Sequence, residues 1–171
     1  EPRFAAIAEA MVTSGNWVVP MYNDSLTVDK PVLMHWSMAL CYIVFGVSEF
    51  SARLPSAIAT FLTALALYRA GVQWFNTPTV IIASLAYISC ILVGIESHAA
   101  TPDAILTALC TWATLLAAEQ IVPIPNTIQT ARLTISRACL VGGLLGLAVL
   151  CKGPIGFIGP LAVRFVSYSE W

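Results

Sequence analysis

Apolar residues come in long blocks along this chain, cut by short polar breaks. The blocks cover 31–46, 52–75, 79–95, 101–118, 135–151 and 154–168. A helix that crosses a bilayer needs about 20 such residues. Four of the blocks approach that length and predict membrane helices, and 154–168 begins a further span. The block 31–46 is short for a full span: at 1.5 Å per residue it reaches about 24 Å, against a hydrocarbon core of about 30 Å. It predicts a tilted, partly embedded or re-entrant helix. Local chemistry sets several boundaries. Asn76-Thr77-Pro78 reads as a tight turn, and Lys152-Gly153-Pro154 ends the block before it. Thr101 is expected to cap the helix that follows it, with Pro102 in its first position and Asp103 in its first turn. Pro55 is expected in a first turn, and Gly142, Gly143 and Gly146 at a close helix contact.

The segment 1–31 has a different pattern. Phe4, Ile7, Ala8 and Met11 fall at i, i+3, i+4 and i+7, the stripe of an amphipathic helix. Pro2 suits its first turn, and Gly15 is placed to end it in a left-handed cap. With the stripe in lipid, this helix would lie in the headgroup plane. Trp17-Val18-Val19-Pro20 reads as extended, Asn23-Asp24-Ser25 as a turn, and 26–28 as the return strand of a short hairpin.

Composition sharpens this picture. Of 171 residues 58% are hydrophobic and 10% charged, where a soluble domain carries about 25% charged residues. The fold class is therefore all-α, a polytopic helical membrane protein with an interfacial amphipathic helix. The chain is expected to be an N-terminal fragment of a longer protein, because it lacks an initial Met and ends just after an apolar block. The net charge of −1 gives no reason to expect nucleic acid as a partner. Cys41, Cys90, Cys110, Cys139 and Cys151 lie in apolar blocks without CxxC spacing, so they read as small core residues. No metal motif is present: His98 and Asp103 do not form one, and no cofactor is expected.

The charges that remain are the candidate chemistry. Residues 1–31 hold Glu1, Arg3, Glu9, Asp24, Asp29 and Lys30, six of the seventeen charged residues. If 31–46 does not cross, these share one membrane side with Glu96, Asp103 and Lys152, and Arg69, Arg132, Arg137 and Arg164 take the other. Lys and Arg divide four to four between the sides, so positive-inside bias does not choose; the short block 31–46 favours this arrangement. Each charge also has a plainer reading. Asp103 fits a helix dipole, Lys152 can snorkel, and Lys30 beside Asp29 fits a surface pair of little energetic weight. Together they place carboxylates and cations at one membrane face. Chemistry on a lipid phosphate needs that mixture: cations for the leaving phosphate and a carboxylate for the acceptor's proton.

An ordered series of motifs runs through the chain. Glu1-Pro2-Arg3 is followed by Gly15-Asn16-Trp17-Val18-Val19-Pro20, Asp29-Lys30-Pro31, Ala52-Arg53-Leu54-Pro55-Ser56, Ala100-Thr101-Pro102-Asp103 and Lys152-Gly153-Pro154. The series resembles the bacterial branch of the dolichyl-phosphate-mannose protein mannosyltransferase superfamily, and within it the aminoarabinose lipid A transferases. The resemblance implies a GT-C fold and inverting transfer of a sugar from a polyprenyl-phosphate donor to a lipid or protein acceptor, on the external face of the bacterial inner membrane. It assigns Asp103 and Glu1 as catalytic carboxylates, with an Asp just before Glu1 usually favoured as the catalytic one. It assigns Arg3, Lys30 and Lys152 to the donor phosphate. The competing expectation is a transporter or flippase segment whose charges line a substrate path. An inverted repeat would favour that, and none is visible in the sequence.

Overall fold

The computed structural model describes residues 2–23, 25–27, 31–122 and 135–158. In chain order the elements are α1 (Pro2–Ser14), β1 (Met21–Tyr22), β2 (Ser25–Leu26), α2 (Leu33–Phe45), α3 (Glu49–Trp74), α4 (Thr77–Ser89), α5 (Ile91–His98), α6 (Pro102–Ile121) and α7 (Ile135–Lys152). The chain is an all-α membrane protein. Among the described residues α3 and α7 are each long and apolar enough to cross a membrane, and α4 with α5 form one more such run bent by 60°.

Helix α1 keeps the expected stripe, with Phe4, Ile7, Ala8 and Met11 all buried. The stripe faces protein, where the sequence suggested lipid. It packs on α2, whose Met34, Met38, Ala39 and Tyr42 join Phe4 and Ala8 in one core cluster. Burying Phe4, Ile7 and Met11 contributes about 1.5–3 kcal/mol each, which ties the short α2 to α1. Gly15 closes α1 at φ +70° and donates its N–H to Met11 O at 3.1 Å. Asn16 Oδ1 then accepts from the N–H groups of Val18 and Val19, and Trp17 O accepts from Trp36 Nε1 at 2.7 Å. The hairpin that follows pairs Met21 with Leu26 and Tyr22 with Ser25, so its first strand lies beyond the extended piece Trp17–Val19.

The bundle reverses the usual polarity of a soluble core. The buried face of α3 includes Ala52, Ser56, Ala59, Thr63 and Ala66, and Ala59 meets Ala104 and Ala108 of α6. Ile58, Phe61, Leu62 and Leu65 of α3 are exposed, as are Ile81, Ile82, Leu85 and Ile88 of α4. Small residues inside let helix backbones approach, and the large apolar ones lie on the outside.

Several boundaries differ from the pattern. Helix α3 begins at Glu49, capped by Ser48, whose hydroxyl accepts from Ser51 N. Pro55 therefore sits beyond the first turn, inside the helix. The block 79–95 is broken at Cys90, which is extended (ψ 124°), and α5 carries on through Glu96 to His98. Thr101 precedes α6 without a side-chain cap, and its hydroxyl donates to Glu96 Oε2. A Cβ on Gly142, Gly143 or Gly146 would meet nothing described within 4 Å. The close approaches are at Gly71, where it would come within 2.6 Å of Val80, and at Gly156, within 2.7 Å of Ala148.

Candidate functional site

The start of α6 is fixed from three sides. Ser56 of α3 donates to Thr101 O at 3.4 Å, Glu96 of α5 accepts from the Thr101 hydroxyl at 2.6 Å, and Cys151 of α7 donates from Sγ to Pro102 O at 3.2 Å. Cys151 is fully buried. The next residue along each helix is then a charged one. Asp103 lies in the first turn of α6 and Lys152 in the last turn of α7, and Lys152 Nζ donates to Asp103 Oδ1.

Each position suits the charge it holds. A carboxylate is favoured at a helix N-terminus and an ammonium at a C-terminus. The pair is nonetheless open to solvent: its side chains are 31% exposed at Lys152 and 41% at Asp103. Asp103 Oδ2 has no partner among the described residues. Two ammonium protons of Lys152 likewise have no partner among the described residues. A carboxylate oxygen and an ammonium thus remain available at one point on the bundle's end.

Helix α1 reaches the same end. Ala100, three residues before Asp103, belongs to the core cluster that holds Phe4 and Ala8. Arg3, next to Phe4, is exposed, and its guanidinium lies 6.0 Å from the centre of the Tyr22 ring. The Phe4 ring lies 5.5 Å from that of His35, which is 2% exposed with neither ring nitrogen hydrogen-bonded. Burial, and then the charge of Arg3, lower the His35 pKa.

Asp103 and Lys152 are therefore brought together, and Arg3 lies on α1 at the same end. Glu1 and Lys30 lie outside the described residues, as does Asp29. His98 turns away from Asp103: its Nδ1 is 2.8 Å from Gly94 O in its own helix. Among the described residues no group of three His, Cys, Asp or Glu side chains could hold a metal ion.

One cluster was not legible in the pattern. Glu119 falls just past the apolar block 101–118, yet it lies within α6, its side chain only 3% exposed. It accepts from Arg69 Nε and Nη2 at 3.0 and 3.2 Å and from Gln73 Nε2 at 2.9 Å, with Arg137 Nη1 3.6 Å away. Arg69 also stacks over Trp112 at 5.8 Å. The usable signal was on α3, where Arg69 and Gln73 are four residues apart and share a helix face that calls for an acceptor.

A family profile described as dolichyl-phosphate-mannose-protein mannosyltransferase matches residues 29–170. The chain belongs to this family. Undecaprenyl phosphate-α-4-amino-4-deoxy-L-arabinose arabinosyl transferases from Shewanella sediminis and Proteus mirabilis are 32% and 31% identical to it, over 100% and 95% of this chain. The chain spans about 30% of their length. The crystal structure of ArnT from Cupriavidus metallidurans in the apo state superposes with a TM-score of 0.86 at 26% identity, over 99% of this chain and 31% of ArnT. ArnT bound to undecaprenyl phosphate gives 0.84 at 24% identity over the same shares, a likeness of fold.

Proposed function

We propose that this chain is part of a membrane glycosyltransferase that moves a sugar from a polyprenyl-phosphate donor to an acceptor hydroxyl at the external face of a bacterial inner membrane. The observation that carries the reading is the solvent-open Asp103–Lys152 pair, held where α6 begins and α7 ends, at the end of the bundle that α1 also reaches. Such a site supplies both halves of the chemistry. The acceptor oxygen attacks the anomeric carbon with inversion, its proton passes to a carboxylate, and the carbon–oxygen bond to phosphate breaks. The polyprenyl phosphate leaves with that bond's electron pair, and nearby cations stabilise it.

In this reading Asp103 and Glu1 are the catalytic carboxylates, and Arg3, Lys30 and Lys152 attend the donor phosphate. The names of the arabinosyl transferase relatives favour an undecaprenyl-phosphate aminopentose as donor, with a lipid acceptor. The family description favours the second reading, mannosyl transfer to protein.

The deciding experiment supplies the full-length protein, in vesicles, with labelled undecaprenyl-phosphate aminoarabinose or labelled polyprenyl-phosphate mannose, and lipid or protein acceptors. Label passing from aminoarabinose to lipid is the expected result. Transfer of mannose to protein selects the second reading. Movement of an intact donor across the bilayer, with no transfer, favours the transporter and overturns both.

A further inference from the structure

A cavity of about 520 Å³ opens between the start of α1, the end of α2, the first turn of α3 and the end of α5. Its size falls within the roughly 300–1,000 Å³ typical of small-molecule sites. Glu9, Tyr42, Ser48, Glu49, Arg53 and His98 are the polar residues that line it among the described residues. We propose that this cavity binds the headgroup of a bilayer phospholipid bearing a primary ammonium, such as phosphatidylethanolamine. This goes beyond the transfer reaction and does not depend on it.

Three observations carry the proposal. The first is charge. Among the described residues, the acidic and basic lining residues Glu9, Glu49 and Arg53 sum to −1. That disfavours a bare phosphate and favours a ligand with a cation. Glu9 has no ion-pair partner among the described residues, so its carboxylate is free to accept from an ammonium. Arg53 pairs with Glu49 through Nη2 alone, and both side chains are exposed. Such a pair contributes only about 0–1 kcal/mol, and four further N–H donors of the guanidinium remain for a phosphodiester.

The second is an unused hydroxyl. Tyr42 is only 4% exposed and lines the cavity, and among the described residues its phenol oxygen has no hydrogen-bond partner, so it can serve a ligand. The third is the rim. Val44, Phe45, Val47 and Phe50, around the α2–α3 corner, are 55–72% exposed, and Val47 also lines the cavity. Acyl chains can lie on this corner while the headgroup enters the polar space. A quaternary ammonium has no N–H to give Glu9 and is recognised instead by aromatic faces, so a primary amine is the better fit.

The test uses the purified, delipidated full-length protein and native mass spectrometry. Phosphatidylethanolamine, phosphatidylcholine and phosphatidylglycerol with identical acyl chains compete for it. One charge-assisted hydrogen bond corresponds to about tenfold or more, so phosphatidylethanolamine is expected to be retained about tenfold over the other two. Glu9→Gln should abolish that preference and Glu9→Asp should keep part of it. Arg53→Gln should lower retention of phosphatidylethanolamine and phosphatidylcholine together. Glu9 is exposed, so these variants should melt like the wild type. Equal retention of the three lipids, or a preference that survives Glu9→Gln, overturns the proposal. So does displacement of the lipid by equimolar water-soluble phosphoethanolamine, because the acyl chains would then contribute nothing.

Discussion

Helix α6 carries one carboxylate near each end, and the two are used in opposite ways. Both Asp103 and Glu119 pair with a cation of α7. Glu119 is 3% exposed and meets Arg69, Gln73 and Arg137, so both its oxygens are engaged. Asp103 is 41% exposed and engages one oxygen with one lysine. A buried carboxylate must be fully satisfied, since an orphaned charge in low dielectric costs several kcal/mol. A carboxylate that meets a substrate must keep a lone pair free and reachable. The comparison separates an ion-pair network that closes the bundle from a pair that leaves valences open.

The largest effect should come from breaking the closed end. Glu119→Ala leaves two guanidiniums and the Gln73 amide without their acceptor. Removing one partner of a buried pair costs about 3–5 kcal/mol. Arg69 and Arg137 are each more than 40% exposed, so water recovers part of this and the expected cost is about 3 kcal/mol. Thermal unfolding of the full-length protein in detergent should show a clear fall in midpoint, with activity lost only in proportion to folded protein. Lost turnover at an unchanged midpoint would mean that the far end takes part in the reaction.

Asp103→Asn should do the reverse. A carboxylate that only complements a helix dipole is replaceable at about 0.3–1 kcal/mol. One that orients or deprotonates an acceptor is not, since general-base help is worth about 10²–10⁴-fold. Transfer is expected to fall by at least about tenfold, a low bound because in the proposed reading Glu1 shares the task. The melting midpoint should barely move. Near-normal turnover by inserted Asp103→Asn protein would reduce this residue to a helix terminus.

How far these ends could be read from sequence follows from their physics. The open end was legible because it sits at helix boundaries, where Thr101-Pro102-Asp103 and Lys152-Gly153-Pro154 announce themselves through proline, glycine and dipole chemistry. The closed end was not. Glu119 and Gln120 look like the start of a loop until Arg69, fifty residues earlier, is placed opposite them. The bend at Cys90 had no local signal either, with no proline or glycine at the break. The stripe of α1 was legible as a helix face, but periodicity cannot say whether such a face meets lipid or, as here, the Met34–Met38 surface of α2. Glu1 and Lys30 were named from motifs and lie outside the described residues.

The cations come next in size. Lys152→Ala removes the partner of Asp103 and one charge near the proposed phosphate, and Lys30→Ala removes another. A partly exposed pair adds at most about 1 kcal/mol to stability. Both variants should therefore keep their abundance and need a several-fold higher donor concentration for half-maximal transfer. If Asp103 and Lys152 act as one unit, the double variant Asp103→Asn/Lys152→Ala should lose clearly less than the product of the two single losses. Purely multiplicative losses would show two independent groups and dissolve the pair as a functional unit.

The smallest effect distinguishes positioning from packing at the open end. Cys151 precedes Lys152 in α7 and donates from Sγ to the carbonyl of Pro102, which precedes Asp103 in α6. This contact links the two backbones one residue before each charge. If it sets the register of the pair, Cys151→Ala should lower transfer two- to threefold at saturating donor, at a stability cost of roughly 1 kcal/mol, the worth of one such bond. Cys151→Ser supplies a hydroxyl that can donate to the same carbonyl and should restore most of the rate. If the thiol only fills space, serine adds a polar group to a buried site and should do no better than alanine in either measurement. Recovery of rate by serine but not by alanine is the outcome that makes the α6–α7 tie part of the site, as the closed network around Glu119 is part of the frame.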